Sequence, residues 1–190
     1  MRFLLCLMLT APADAAANDE PVVEVFVPPV FSVKMDHAFM RARATVNEIY
    51  SGIGIRVVWR STRSAPPGCA KKPNRTIVVA FLWETPAERS QQAMAFSNPY
   101  LTEGPCVTLL MDRLKSAAKS KPLRTEFLLG HVLAHEMGHV LQGIARHSET
   151  GVMKDHWSEE EIENMPFRRL YFTEFDAKLI LTGLATRGRE

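Results

Sequence analysis

The stretch TEFLLGHVLAHEMGHVLQG, residues 125 to 143, constrains the chain more than any other segment. Apolar residues fill nearly every turn, with a threonine at the start as N-cap and a glycine at the end. The spacing therefore predicts one long buried helix closed by Gly143. Inside it, His135 and His139 are four apart, so both imidazoles leave the same face about one turn apart and can share one metal ion. Glu136 is rotated by ~100° from His135, outside ligand reach but close enough to act on a water at the metal. That geometry is why the spacing H-E-x-x-H carries zinc hydrolysis.

The competing reading is a core helix with solvent-facing histidines. Two observations favour a metal. Val132, Leu133, Met137, Val140 and Leu141 make the helix apolar, as burial of a site requires, and five of the six histidines fall between 131 and 156. His131 lies one turn earlier, on the wrong side of the Glu-bearing pair, and reads as a packing or hydrogen-bonding residue.

A third ligand cannot come from the next turn of the same helix, because the axis carries the following residues away from the metal. The chain must break and return. Gly143 supplies the break, since without a Cβ it can adopt the left-handed conformation that ends a helix. His147 follows four residues later, and SETGVM then places Gly151 and Met153 where a tight turn can pass beneath the site.

At these residues the chain resembles the metzincin clan of zinc metalloproteases, whose pattern is H-E-x-x-H-x-x-G-x-x-H followed by a methionine turn. His135, Glu136 and His139 match position for position, while Gly143 comes one residue late and His147 two. One extra residue before the glycine turns the helix exit by ~100° and advances it by ~1.5 Å. The second, after the glycine, restores the reach of His147. The short step from His147 to Met153 is similar to the compact archaemetzincin branch, although that branch's motif cysteines are absent here.

The resemblance implies an α/β fold: a mixed, mostly parallel sheet of about five strands with an antiparallel edge strand, packed on a central active-site helix. It also implies one catalytic Zn2+ held by His135, His139 and His147, Glu136 as general base, and Met153 as the methionine turn. The partner would be an extended peptide or protein substrate laid along the edge strand at AMAF, residues 93 to 96. The expected function is that of a zinc-dependent endopeptidase.

A gluzincin-type site, completed by Glu159 or Glu163, is the rival ligand set. The acidic run from Glu159 to Glu163 also suits a helix N-terminus after Ser158, which ranks His147 ahead; Asp155 and His156 rank lower. A non-catalytic zinc-binding exported protein is the other alternative, and Glu136 argues against it because a purely structural site needs no base. Beyond the metal, Tyr171 is the only nameable candidate for stabilising the oxyanion.

The rest of the chain reads as strand, helix, strand, strand, edge strand, strand, helix, in one domain over residues 18 to 190. PVVEVFV (21 to 27) suits a first strand. Asp36 to Ile55 suits an amphipathic helix capped by Asp36 and ended by Gly52. IRVVW (55 to 59) and TIVVAFLW (76 to 83) suit strands, the second apolar enough to be covered on both faces. A short helix or loop is expected over 86 to 92, and CVTLLMDRL (106 to 114) reads as strand running into loop. Two shorter helices are expected in SEEEIENM and FTEFDAKLILTGL.

Residues 1 to 17 have a basic start at Arg2, an apolar run and an Ala15-Ala16-Ala17 cleavage site, the pattern of a signal peptide, so a secreted or periplasmic protein is expected. Removing them leaves Cys69 and Cys106, candidates for one disulfide in an oxidising compartment. No later stretch approaches the ~20 apolar residues of a membrane span. The formal charge of +2 is too small to point to nucleic acid, and the basic groups at 56–75 and 113–124 read as solvated faces.

Overall fold

A computed structural model describes residues 20–29, 33–61, 75–88, 93–99 and 104–187. The signal-peptide segment 1–17, Cys69 and residues 89–92 lie outside the described residues. The elements run β1 (Val22–Val27), α1 (Val33–Ser51), β2 (Arg56–Ser61), β3 (Thr76–Leu82), β4 (Ala95–Ser97), β5 (Val107–Leu110), α2 (Met111–Ala117), α3 (Pro122–Gln142), α4 (Glu159–Asn164) and α5 (Glu174–Arg187).

The five strands form one sheet in the order β2-β1-β3-β5-β4. β1 pairs in parallel with β2 and β3, β3 in parallel with β5, and β4 antiparallel with β5. The chain is thus α/β with a mixed, mostly parallel sheet and one antiparallel edge strand, as expected. Parallel neighbours need a crossover, and α1 provides it between β1 and β2. Val23, Val25, Ile77, Val107 and Leu109 from the sheet share one core with Phe39, Val46 and Ile49 of α1 and Leu128, Leu129 and Leu133 of α3. Consecutive burial of Ile77, Val78 and Val79 shows both faces of β3 covered at that end, while Ala80 to Leu82 are half-buried.

α1 and α3 cross at Gly130. A Cβ there would stand 2.7 Å from Thr45 Cβ and 3.0 Å from the Ala42 carbonyl oxygen, so the approach depends on the missing side chain. The Tyr50 hydroxyl, fully buried, donates to the Ala134 carbonyl at 3.1 Å and ties the helices a turn further on.

Most strand boundaries fall within two residues of expectation, and four departures have a physical reason. α3 starts at Pro122 rather than at a Thr125 cap: proline at the first helical position needs no N–H partner and has its φ already set. Thr125 instead donates from Oγ1 to the Lys121 carbonyl at 3.0 Å. α1 starts at Val33, leaving Asp36 in its first turn rather than at its cap. Residues 111–117 are helical, not loop, because Met111 and Leu114, one turn apart, are both buried beneath α2. β4 covers 95–97, not 93–96.

Cys106 is buried and its Sγ accepts from Val78 N at 3.2 Å. The basic groups expected to be solvated include Arg60, paired with Glu24, and Lys119, paired with Glu159. Among the described residues no helix is long and apolar enough to cross a membrane.

Candidate metal centre

α3 runs through the core and is buried continuously from Phe127 to Leu141, yet His135, Glu136 and His139 face a cavity of about 710 Å³. The helix stops where expected. Gly143 takes φ 70° and ψ 19°, and its N–H bonds to the His139 carbonyl at 2.9 Å. The chain then turns back and presents His147 to the two helical histidines.

His135 and His139 bring their Nε2 atoms to 3.0 Å, and His139 and His147 bring theirs to 3.2 Å. Around a tetrahedral metal with metal–nitrogen bonds of ~2.0–2.1 Å, ligand nitrogens stand ~3.3–3.4 Å apart. The three rings therefore already approximate one face of such a coordination shell, and His135, His139 and His147 form a group that could hold a metal ion.

Proton placement points the same way. His135 Nδ1 lies 2.8 Å from the Val152 carbonyl oxygen and His139 Nδ1 3.2 Å from that of Ile144. A carbonyl only accepts, so each Nδ1 carries the proton and each neutral ring turns a lone pair inward. Lone pairs 3.0 Å apart repel unless a cation lies between them. Burial, followed by the neighbouring His139 ring, pushes His135 from its ordinary 6.5 down to about 4. Burial likewise lowers His139. Both are thus neutral, the state a metal requires.

His147 is the most exposed of the three, and Asp155 backs it: a carboxylate oxygen lies 3.4 Å from His147 Nδ1, while the other oxygen accepts from His156 Nδ1 at 2.8 Å. An acceptor behind the distal nitrogen of a ligating imidazole fixes its orientation and raises its basicity.

Glu136 lines the same cavity. Burial pushes its carboxyl up to about 7, and a hydrogen bond from Ser97 pulls the other way. Ser97 is the last residue of β4, so the edge strand touches the catalytic candidate directly.

Met153 is fully buried against α3. A Cβ on Gly138 would stand 2.5 Å from its sulfur, so the glycine inside HEMGH is what admits the methionine. The turn itself is closed by Ser148 N donating to the Met153 carbonyl at 2.8 Å, with Gly151 at φ 79°. Trp157 seals this side. Its ring meets His135 edge-on at 5.8 Å and its indole N–H donates to the Gly151 carbonyl at 3.3 Å.

The other candidates are engaged elsewhere. Glu159 pairs with Lys119 and Glu163 with Arg124, and neither belongs to the histidine group. Glu161 closes a capping box with Ser158 and binds Lys154 at 2.7 Å. The Tyr171 hydroxyl donates to Glu48 at 2.8 Å, which removes it as an oxyanion donor. His131 is fully buried, its Nδ1 donating to Phe127 O at 2.8 Å and its Nε2 accepting from Leu170 N at 3.2 Å.

Sequence reasoning did not single out Ser97 or Trp157, and it considered Asp155 only as a weak ligand. Ser97 and Trp157 carried no spacing signal, whereas an Asp-His pair shortly after a third histidine is a cue that could have been used. No protein-family model matches the chain, and no curated protein matches it significantly. The candidate metal centre therefore stands on its own geometry: three imidazoles whose Nε2 atoms converge beside a buried carboxyl group.

Proposed function

We propose that the protein is a zinc-dependent endopeptidase of metzincin type, exported from the cytoplasm, with His135, His139 and His147 as zinc ligands and Glu136 as general base. The observation that carries this reading is the convergence of three imidazole Nε2 atoms in a cavity that also contains Glu136. A structural site would need a fourth protein ligand to close it, and among the described residues the group stops at three, which suits an open catalytic position.

A zinc ion held there would supply Lewis acidity, polarising a carbonyl and making water acidic near neutral pH. The chain's own residues do the rest. Glu136, poised near neutrality, takes a proton from the attacking water and returns it to the leaving amine. Ser97 holds the carboxylate in place. β4, at the sheet edge and lining the cavity through Ala95, offers main-chain groups to an extended peptide.

The test compares wild type with Glu136→Gln on a mixed peptide library, after zinc stoichiometry has been measured in both. One zinc per chain in each, with cleavage only by wild type, supports the proposal. Zinc without cleavage by either protein would leave a non-catalytic binding protein, and a lack of zinc uptake would remove the reading altogether.

A further inference from the structure

The return of His147 to the site poses a mechanical question. The segment after Gly143 has no regular structure, and His147 is the most exposed of the three ligand candidates. Main-chain groups fix the loop at both ends: the Ile144 carbonyl accepts from His139 Nδ1, and the Ser148 N–H donates to Met153 O. Between them the side chains on either side of His147 reach out of the site to one atom. Arg146 Nη1 donates to Asp176 Oδ1 at 2.9 Å, and Ser148 Oγ donates to the same oxygen at 2.6 Å.

Asp176 belongs to α5, and its side chain is completely buried. Its second oxygen, Oδ2, accepts from Thr173 Oγ1 at 2.6 Å and Thr173 N at 3.2 Å, while Asp176 N donates back to Thr173 Oγ1 at 3.2 Å. One carboxylate thus caps the start of α5 with one oxygen and grips the loop with the other. Phe175 adds an apolar stop, with the Arg146 guanidinium 4.6 Å over its ring. Burial favours the neutral acid, but the donors from Ser148, Thr173 and Arg146 outweigh it and hold Asp176 below the ordinary carboxylate range.

A helix cap needs only Oδ2. The helix cap gives no reason for Oδ1 to converge with the two residues that flank His147, one on each side. We infer that Asp176 is a positioning residue for the metal site: by holding Arg146 and Ser148 it sets the height and direction from which His147 meets the metal, and so replaces the shorter connection that the longer spacing has lost. The inference rests on the proposal that His147 is a ligand. It adds that the third ligand's geometry is controlled from the C-terminal helix, 28 residues away from Ser148.

The experiment uses the full chain and titrates Co2+, then Zn2+ in competition with a chelator, into wild type, Ser148→Ala, Asp176→Asn and a control, Leu184→Ala. Leu184 is buried on the same helix and takes no part in the hydrogen bonds by which Asp176 holds the loop. Loss of an outer partner of a metal ligand typically weakens binding 10–100-fold. Asp176→Asn is expected to fall in that range, with a changed cobalt absorption spectrum, and Ser148→Ala to lose several-fold with little change in Tm. Leu184→Ala is expected to lower Tm yet keep wild-type affinity and spectrum.

Wild-type affinity and spectrum in both Ser148→Ala and Asp176→Asn would overturn the inference alone. So would equal losses in Asp176→Asn and Leu184→Ala at matched Tm. Wild-type protein that takes up no metal, or His147→Ala that binds as tightly as wild type, would overturn the ligand assignment as well, and shows itself before the other variants are compared.

Discussion

The Nδ1 atom of His135 donates to the main-chain oxygen of Val152 across 2.8 Å, so the first histidine of the group is anchored to the turn that follows the third. That oxygen is in turn placed by Gly151, whose φ of 79° suits glycine and where a Cβ would run into the Tyr171 carbonyl oxygen. Gly151→Ala is expected to cost ~1–3 kcal/mol from backbone strain, and, because the Val152 carbonyl must move, to weaken metal binding as well. Thermal unfolding with and without metal measures both, and a variant whose metal-induced rise in Tm equals that of wild type would refute the coupling.

His147→Ala separates the two ligand sets. With a ligand removed, zinc affinity is expected to drop at least a hundredfold, because two imidazoles remain and nothing else in the group replaces the third. Glu159→Ala and Glu163→Ala break only the pairs with Lys119 and Arg124, at exposed or partly exposed positions where such pairs contribute ~0–1 kcal/mol. Their affinities are expected to stay within about twofold of wild type. Competition against a chromophoric chelator gives these constants, and the opposite ordering would favour a glutamate-completed site.

What could be read from the sequence divides along the range of the interactions involved. His135, Glu136 and His139 are related by helix periodicity, a local rule, and Gly143 ends the helix through its own backbone freedom. Those features are found where the sequence places them. α2 escaped because seven residues butted against a strand leave little room for periodicity, although Met111 and Leu114 were the cue. Pro122 reads equally as a breaker or as a first helical residue, and only the position of the preceding turn, with Lys119 and Ser120 at positive φ, decides. Ser97 and Asp176 are invisible for a different reason. Each acquires its role from a partner brought by tertiary folding: β4 meets α3, and α5 meets the loop that carries His147. A residue-spacing rule contains no term for such meetings.

His131 makes the metal-free protein sensitive to acid. Burial pushes its imidazole from 6.5 to about 4, with the bond to Phe127 opposing that shift. The folded value lies below the unfolded one, so between these limits the unfolded chain binds the proton first. Stability is complete above 6.5 and falls as pH drops toward 4, by up to ~3 kcal/mol for this one group. Gln at 131 can donate to the Phe127 carbonyl and accept from Leu170 N without titrating. His131→Gln is therefore expected to show a shallower loss of stability between pH 7 and pH 4.5 in urea unfolding of metal-free protein. His135 and His139 contribute in the same direction in both proteins, so the difference between the two curves isolates His131. Parallel curves would sink the assignment.

Ser97 offers a test of Glu136 as the proposed base. Its hydroxyl donates to Glu136 and favours the charged carboxylate, against the burial that pushes the carboxyl up to about 7. Ser97→Ala removes that support, so the Glu136 value rises. Since only the carboxylate takes a proton from water, the acidic limb of kcat/KM against pH is expected to move to higher pH. A hydrogen bond to a charged group contributes ~1.5–3 kcal/mol, which corresponds to a shift of about one to two pH units. Metal stoichiometry should be unchanged, because Ser97 is not one of the three histidines of the group, and the two proteins should converge in rate on the alkaline side. Ser97→Thr, which keeps the hydroxyl, should return the limb toward its wild-type position. If the limb stays where it is in Ser97→Ala while the rate falls uniformly at every pH, Ser97 shapes the strand and not the base.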